Sequence, residues 1–296
     1  MKINDIIKNL YQKLPVVREL NQIKQEIMRE KLLVNQLIGH ADAMLRMEVC
    51  KDERFMDDRR LLKYGFQVCS QNNEDGMIHE ILKRLDIQTG SFAEIGVGNG
   101  HENNTAFLLS MGWIGFWIEG DPAFLETIGQ PEYSAYSVTG KQAFVTRENI
   151  SNIFKQLKIP IELDLLSIDV DRNTYYIWEG LSDYRPKVVV VEYNSAMPPD
   201  VDWLIDYAPQ KVWDGSQNFG ASLLAYENLG KRLGYSLVGC DFIGVNAFFI
   251  RDDVLNDYAN RFCSPFTSNN HYEPPRYGLV KRLTHPTKIL TSTQNK

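Results

Sequence analysis

Strand-like and helix-like patterns of apolar residues alternate along residues 61–263, the middle region of the chain. Short β-rich runs predict seven strands, at residues 92–95, 113–119, 143–146, 163–168, 187–192, 235–240 and 246–251. Helix-compatible segments separate most of them, at residues 104–110, 148–157, 174–181 and 221–233. This alternation predicts right-handed crossovers and a mainly parallel sheet, and the short turn before the last run predicts a terminal antiparallel hairpin.

The N-terminal region, residues 1–60, has a helical pattern that is interrupted near Pro15. Beyond this proline a heptad seam is formed by Leu20, Ile27, Val34 and Ala41 with Ile23, Leu37 and Met44, and Glu30 is the one polar exception. The seam predicts a coiled coil that makes the protein a homo-oligomer, most simply a symmetric dimer. The alternative, that the stripe packs on the chain's own globular domain, stays open.

The C-terminal region, residues 264–296, is rich in Pro, Ser, Thr and Asn, and it is basic. This composition predicts no regular element for most of its length. A solvated tail or a wrap over the domain is the favoured interpretation, and docking onto an anionic surface stays open.

Composition excludes several classes of protein. Of the 296 residues 44% are hydrophobic and 24% charged, as in ordinary globular proteins, and the net charge of −6 argues against a body that binds nucleic acid. The longest aliphatic run is residues 188–191, so no transmembrane segment is expected, and without a signal sequence the protein is predicted to be cytoplasmic. The four cysteines form no CxxC pair and indicate neither zinc nor disulfides.

A glycine-rich turn follows the first predicted strand, with the sequence Glu-Ile-Gly-Val-Gly-Asn-Gly at residues 94–100. Glycines let the backbone turn tightly against a ligand, and the helix that follows favours negative charge at its start. A dinucleotide fingerprint requires Gly or Ala at position 101, where His101 stands. Glu94 instead suits a positively charged amino-acid cofactor, and Glu119, at the end of the second strand, can accept both ribose hydroxyls.

Further segments carry a resemblance to a known family: Ser70-Gln71, Glu74-Asp75-Gly76, Gly112-Trp113, Glu119-Gly120-Asp121-Pro122, Ser167-Ile168-Asp169-Val170-Asp171, Val191-Glu192-Tyr193-Asn194, Gly220-Ala221-Ser222-Leu223 and Asn246-Ala247-Phe248-Phe249. With the glycine turn, they make residues 67–251 resemble the class I S-adenosylmethionine-dependent methyltransferases, and within that class the FkbM-like sugar and polysaccharide O-methyltransferases. The resemblance implies a Rossmann-like seven-stranded, mainly parallel sheet with the last strand antiparallel, in agreement with the periodicity.

The resemblance also implies where the cofactor S-adenosylmethionine binds. Glu94, Gly96 and Gly98 would surround its methionine part, Glu119 would bind the ribose, and residues 142–144 would lie near the adenine. The predicted cofactor-binding residues are Gln71, Glu94, Gly96, Gly98, Gly100, Glu119, Gly120, Asp121, Gln142, Ala143 and Asp169.

Oxygen-bearing side chains follow two neighbouring predicted strands. Asp169 and Asp171 leave the fourth strand, and Glu192 and Asn194 leave the fifth, so a parallel sheet brings them to one edge. Such ligands suit Mg²⁺ or another divalent cation, and the resemblance implies that the cation holds two substrate oxygens. The alternative is that Asp169 binds cofactor or substrate directly, with the other acids in hydrogen bonds without metal or neutralised by Arg172.

The catalytic base departs from the pattern of the metal-dependent relatives, which often carry Lys or His three residues after the metal-binding aspartate. Arg172 stands there in this chain and stays protonated at neutral pH. The predicted catalytic residues are therefore Asp171, Asp169 and His101. Aromatic residues predicted to line an acceptor cleft are Tyr175, Tyr176, Tyr193, Trp203 and Trp213.

Three functional hypotheses follow from these residues and the resemblance. The first is methyl transfer from S-adenosylmethionine to a sugar hydroxyl in surface-polysaccharide (O-antigen or capsule) or nucleotide-sugar biosynthesis. The second keeps the cofactor and changes the acceptor to a phosphate, a carboxylate or a small-metabolite hydroxyl. The third is a catalytically silent cofactor-binding interaction protein, although the acids at positions 169, 171 and 192 argue against it.

Overall fold

The structure, a computed structural model, describes residues 15–100 and 102–276. Residues 1–14 and 277–296 lie outside the described residues, and so does His101, one of the predicted catalytic residues. The described chain falls into two units, one of residues 15–48 and the other of residues 49–276.

A seven-stranded sheet forms the centre of the second unit. Its strands are β1 (Ser91–Ile95), β2 (Ile114–Glu119), β3 (Val138–Gln142), β4 (Leu165–Ile168), β5 (Val188–Glu192), β6 (Tyr235–Cys240) and β7 (Asn246–Arg251). They lie in the order β3-β2-β1-β4-β5-β7-β6. β7 runs antiparallel to β5 and β6, and the remaining pairs are parallel. The predicted fold class, with its terminal hairpin, is confirmed.

Helices connect the strands and extend the chain at both ends. They are α1 (Pro15–Val49), α2 (Glu53–Met56), α3 (Glu74–Arg84), α4 (Ala106–Ser110), α5 (Phe124–Ile128), α6 (Ile150–Gln156), α7 (Thr174–Glu179), α8 (Leu223–Leu233), α9 (Asp252–Tyr258) and α10 (Ser268–His271). Single 3₁₀ turns span Leu62–Tyr64, Pro131–Ala135, Asp171–Asn173 and Ala259–Arg261. No helix among the described residues is long and apolar enough to cross a membrane.

The sheet is covered on both faces, which explains the unbroken valine run of β5. Val189 and Val191 belong to one hydrophobic cluster and Val188 and Val190 to the other, and all four are fully buried. Burying a valine side chain stabilises the fold by about 1.5–3 kcal/mol, so a strand buried on both faces contains apolar residues at every position.

The predicted third strand at residues 143–146 is wrong, because β3 occupies Val138–Gln142. β3 pairs only with β2 at the edge of the sheet, and it contains few apolar residues. Gly140 is required there, since a Cβ at this position would lie 2.6 Å from Ile128 Cγ1 of α5. Packing against α5 therefore decides the strand, while the more apolar and β-branched run just after it lies outside the sheet.

Residues 264–276, the described part of the C-terminal region, pack on the second unit. Ser268, His271 and Glu273 are buried. The Arg54 guanidinium donates to the carbonyls of Asn270 at 2.9 Å and Tyr272 at 3.0 Å. These contacts fix the segment and tie it to residues 53–60, which belong to the same unit.

Candidate functional site

The chain reverses its direction of travel through the sheet between β1 and β4, which are neighbours although they are not consecutive. In α/β sheets, ligands bind beyond the carboxyl ends of strands at such a switch point. The Asp169 amide, just after β4, donates to the Ile95 carbonyl at 2.9 Å. A Cβ on Gly96 would lie only 1.6 Å from the Asp169 carbonyl oxygen, so the closeness of the two backbones requires glycine.

The glycine turn after β1 has left-handed backbone at Gly96, Gly98 and Gly100, with φ of 87°, 59° and 74°. The Gly98 amide donates to Glu119 Oε2 at 2.6 Å, and the Asp121 amide donates to Glu119 Oε1 at 2.8 Å. A Cβ at Gly98 would meet no atom within 4 Å. The carboxylate of Glu119 thus borders an open surface of the turn, and its contact with a ribose stays a prediction.

The carboxyl group of Glu94 lies inside the protein. It accepts hydrogen bonds from the Asn104 amide at 2.9 Å and from the Thr105 hydroxyl, and thereby holds the segment that leads into α4. Trp117 Nε1 donates to the same hydroxyl at 2.9 Å. Burial raises the pKa of Glu94 to about 8. Its direct role toward a cofactor stays a prediction.

The remaining predicted cofactor residues border the ends of β2 and β3. Gln142 Nε2 donates to the Gly120 carbonyl at 2.9 Å, and the Ala143 amide donates to the Glu119 carbonyl at 2.8 Å. Phe144 is 43% exposed, and its Cδ2 lies 3.5 Å from the Cβ position of Gly120. An exposed aromatic ring therefore lies beside Gly120, the residue that follows Glu119.

Gln71 and Asp121, two other predicted cofactor residues, lie in loops. Gln71 is exposed, and its carbonyl accepts a hydrogen bond from Gln67 Nε2 at 2.6 Å. Asp121 Oδ1 accepts from the Ala123 amide at 2.9 Å, just before α5. Both contacts order the local backbone.

Three of the predicted metal ligands converge at the carboxyl ends of β4 and β5. Asp169, Asp171 and Glu192 each offer one oxygen, and the three oxygens lie within 4.8 Å of one another. Asp171 has a φ of 54°, in the left-handed region that a non-glycine residue adopts at some energetic cost. Strain of this kind persists where the surrounding structure holds a side chain in place.

Burial raises the pKa of each of the three acids, and a neighbouring negative charge adds to the effect. The pKa of Asp169 rises to about 7, chiefly through burial and then through the charge of Asp171. Burial and the neighbouring charge of Asp169 hold the pKa of Glu192 well above its usual value. Burial, with the charge of Glu119, also raises the pKa of Asp171. The pair of Asp169 and Glu192 therefore favours retention of a proton near neutral pH unless positive charge is supplied.

The chemistry of the cluster fits a divalent cation. Its donors are carboxylate oxygens, which hard cations prefer. Glu192 Oε2 is buried, and no N–H or O–H group of the described residues donates to it, so this oxygen can bind a cation or share a proton with Asp169. Arg172 forms no ion pair with the three acids in the described part of the chain, and its Nη2 donates to the Asp206 carbonyl at 3.2 Å. The alternative in which Arg172 neutralises the acids therefore has no support in this geometry.

Asn194, the fourth predicted metal ligand, is fully buried and engaged elsewhere. Its Nδ2 donates to the carbonyls of Gln217 at 2.8 Å and Phe219 at 3.0 Å, and its Oδ1 accepts from the Ala196 amide at 3.1 Å. The amide thus anchors the long loop between β5 and α8. Its role as a ligand stays a prediction.

Glu74, for which the sequence predicted no site role, is buried close enough to the acid cluster for its charge to act on Asp169. Glu74 accepts from Asn246 Nδ2 at 2.8 Å and from the Asn72 amide at 2.6 Å, and its charge contributes to the raised pKa of Asp169. The signal was available in the Glu74-Asp75-Gly76 segment. Tyr226 of α8 was also missed, and burial, with the charges of Glu192 and Asp169, raises the pKa of its hydroxyl well above the usual value.

The loop between β5 and α8, residues 193–222, borders the cluster. A Cβ at Gly220 would lie 3.5 Å from the Asp171 carbonyl oxygen. Of the five aromatic residues predicted to line a cleft, Tyr175 and Tyr193 are buried, whereas Trp213 is 47% exposed. Trp213 is therefore the clearest candidate for stacking against a ligand on this side.

No family model matches the sequence, and no curated protein matches it either. Solved structures of methyltransferases are similar to the structure of this chain. The chain is similar to a CurJ carbon methyltransferase, with 10% identity and a TM-score of 0.39 over 60% of this chain and 52% of that one. A putative caffeoyl-CoA O-methyltransferase from Staphylococcus aureus shows 13% identity and a TM-score of 0.41 over 59% of this chain and 81% of that one.

A third similar structure, the N-terminal domain of EvdMO1 with SAH bound, shows 11% identity and a TM-score of 0.38 over 60% of this chain and 79% of that one. At these values the strand order described above, and not the matches, defines the fold of this chain.

Proposed function

We propose that the protein is an S-adenosylmethionine-dependent O-methyltransferase whose acceptor is a sugar hydroxyl in surface-polysaccharide or nucleotide-sugar biosynthesis. The observation that carries the proposal is the meeting of two features at the switch point of the sheet. One is the glycine turn at residues 96–100 with Glu119 beside it. The other is the cluster of Asp169, Asp171 and Glu192 at the adjacent strand ends.

The residues around the glycine turn fit a nucleoside-containing cofactor. Each oxygen of Glu119 accepts one backbone amide and retains a lone pair for a ribose hydroxyl. The open surface at Gly98 would let the cofactor lie against the backbone, and Phe144 would stack on the adenine. S-adenosylmethionine, when bound, supplies a sulfonium methyl group that needs no further activation.

The acid cluster would hold Mg²⁺ or another divalent cation through Asp169, Asp171 and Glu192. Such a cation supplies Lewis-acid chemistry that lowers the pKa of a bound hydroxyl. Asn194 would join this set only if its Oδ1 left the Ala196 amide. The cation is supported by Glu192 Oε2, which is buried and receives no hydrogen bond from an N–H or O–H group of the described residues.

Asp171 is the proposed base that accepts the proton of the acceptor hydroxyl. It is the most exposed of the three acids, so an acceptor hydroxyl could reach one of its oxygens while the other binds the cation. The acceptor oxygen would then take the methyl group by in-line displacement, in which positioning of the two reactants provides most of the rate enhancement. Sugar rings stack on aromatic faces, which is the role proposed for Trp213.

The first test of this proposal measures cofactor binding. Calorimetric titration of the full chain should show binding of S-adenosylmethionine and of its demethylated product. Glu119→Ala should weaken that binding at least about tenfold, because each hydrogen bond to a charged group contributes about 1.5–3 kcal/mol.

The matched control is Glu126→Ala, which removes an exposed carboxylate of α5 and should leave binding unchanged. Circular dichroism of both variants separates loss of binding from loss of fold. Tight binding of NAD together with no response to the sulfonium compound would contradict the proposal.

The second test concerns the divalent cation. Methyl release assayed across sugar nucleotides and oligosaccharides should stop on addition of EDTA and recover with Mg²⁺ or Mn²⁺. Titration with Mn²⁺ alone should show one site that Asp169→Asn or Glu192→Gln removes, because each variant takes a charged ligand from the cluster.

Asp257→Asn, in an exposed position of α9, is the control for the loss of one negative charge and should bind Mn²⁺ as the wild type does. Turnover that persists in EDTA would exclude the cation and leave the cofactor site standing. Methyl release only with phosphate, carboxylate or small-metabolite acceptors would replace the sugar by that class.

A further inference from the structure

Helix α1 exposes its heptad seam to solvent along most of its 35 residues. The six large apolar side chains of the seam are between 51% and 71% exposed: Leu20, Ile23, Ile27, Val34, Leu37 and Met44. A helix of this length with an exposed apolar stripe is typical of a coiled-coil strand.

We propose that α1 pairs with α1 of a second copy of this chain in a parallel, in-register, two-stranded coiled coil. With Leu20, Ile27 and Val34 at a positions, residues 23, 30, 37 and 44 fall at d positions. β-branched residues at a with leucine at d favour two strands, a pattern formed here by Ile27, Val34 and Leu37. The other core positions depart from this pattern, with Leu20 and Ala41 at a and Ile23, Glu30 and Met44 at d.

Charged residues beside the seam determine which helix can pair with α1 and in which orientation. Glu19 and Glu26 occupy g positions, and Lys24 and Lys31 occupy e positions five residues further along. In a parallel pair, each g residue faces the e residue five positions later on the other strand, which joins Glu19 to Lys24 and Glu26 to Lys31.

An antiparallel pair would instead bring glutamate to glutamate and lysine to lysine. All four side chains are exposed and form no ion pair within the described residues. Two copies of α1 therefore attract each other through these charges when they are parallel and repel each other when they are antiparallel. This complementarity points to a second copy of this chain as the partner.

Glu30 is the polar d position of the seam. In the parallel pair the two Glu30 carboxylates meet across the seam, where like charges weaken association. This position provides a variant with the opposite expected effect, since Glu30→Leu should tighten the pair.

The proposal is tested by the mass of the full chain in sedimentation equilibrium and light scattering. The wild type should be a dimer that dissociates on dilution. Lys24→Glu/Lys31→Glu should raise the dissociation constant roughly tenfold or more, because each altered pair changes from attraction to repulsion. Glu30→Leu should lower it.

The matched control for the change in net charge is Lys155→Glu/Lys158→Glu, on exposed positions in and after α6, which should leave the dissociation constant unchanged. Adding Glu19→Lys/Glu26→Lys to the lysine variant should restore the dimer, since the charges again match between strands. Failure of this rescue would overturn the charge pairing.

Orientation is tested by disulfide formation in a Cys50→Ser background. Leu37→Cys should form a disulfide with itself, because identical d residues face each other only when the strands are parallel and in register. Gln25→Cys, at an outward f position, should not. A full chain that is monomeric at every concentration, or a Leu37→Cys variant that does not cross-link, would overturn the proposal and favour packing within one chain.

Discussion

At the scale of single residues, one carboxylate oxygen organises the loop that precedes helix α3. Asp75 Oδ2 accepts hydrogen bonds from the amides of Val68 at 2.7 Å, Cys69 at 2.7 Å and Ser70 at 2.8 Å. The next residue, Gly76, has no room for a side chain, because a Cβ would lie 2.2 Å from the Phe66 nitrogen and from the Tyr64 carbonyl oxygen. Two residues of the Glu74-Asp75-Gly76 segment thus have structural reasons for their identity.

Asp75→Ala is expected to lower the free energy of unfolding by about 2–4 kcal/mol, because amide groups in a largely buried loop lose their acceptor. Urea denaturation of the full chain measures the loss. Asp75→Asn keeps one side-chain oxygen at the same place and should retain most of the stability. Equal losses in the two variants would show that the negative charge, and not the acceptor oxygen, stabilises the loop.

In the candidate site, the positions of single residues were predictable from the sequence, but the hydrogen bonds of their side chains were not. Glu119 and the turn glycines were identified from their positions at strand ends, and the structure brings them together. Asn194 was identified by the same rule, yet its amide holds the loop that follows β5. A strand-end position predicts where a residue lies, but the hydrogen bonds of its side chain depend on which distant segment packs over it.

At the scale of elements, prediction succeeded where burial dominates. β6 and β7 occupy the predicted residues, and β5 begins one residue later than expected. Helix α8 begins two residues after its predicted start, because the Ser222 hydroxyl accepts from the Ala225 amide at 3.2 Å and caps the helix. The wrong assignment of β3 arose at a sheet edge, where apolar content is low and packing on α5 decides.

At the scale of the whole molecule, buried carboxyl groups make stability depend on pH. Burial raises the pKa of Glu94 to about 8 and those of Asp169 and Asp241 to about 7. The folded protein therefore binds more protons than the unfolded chain between pH 5 and 8, so this part of the stability is lost as pH rises through the folded pKa values. Burial lowers the pKa of His271 to about 3, so below about pH 6.5 the unfolded chain binds the additional proton. This histidine therefore makes stability rise with pH, but only below about pH 6.5.

The free energy of unfolding, measured with urea in EDTA, is accordingly expected to fall from pH 6.5 to pH 8.5. Each group contributes at most about 1.4 kcal/mol per pH unit. Glu94→Gln should flatten the curve most between pH 7 and 8.5, because that carboxyl has the highest of the three values. A curve that rises across this range, or one that Glu94→Gln leaves unchanged, would contradict the buried state of these acids.

The sequence by itself determined the α/β class, six of the seven strands, the glycine turn and the seam of α1, because each depends on the local periodicity of apolar side chains or on backbone freedom at glycine. Tertiary structure alone decided the edge strand β3, the burial of Glu74 close to the acid cluster, and the separate engagements of Arg172 and Asn194. These features depend on contacts between segments that are far apart in the chain, and the local periodicity of apolar residues does not predict such contacts.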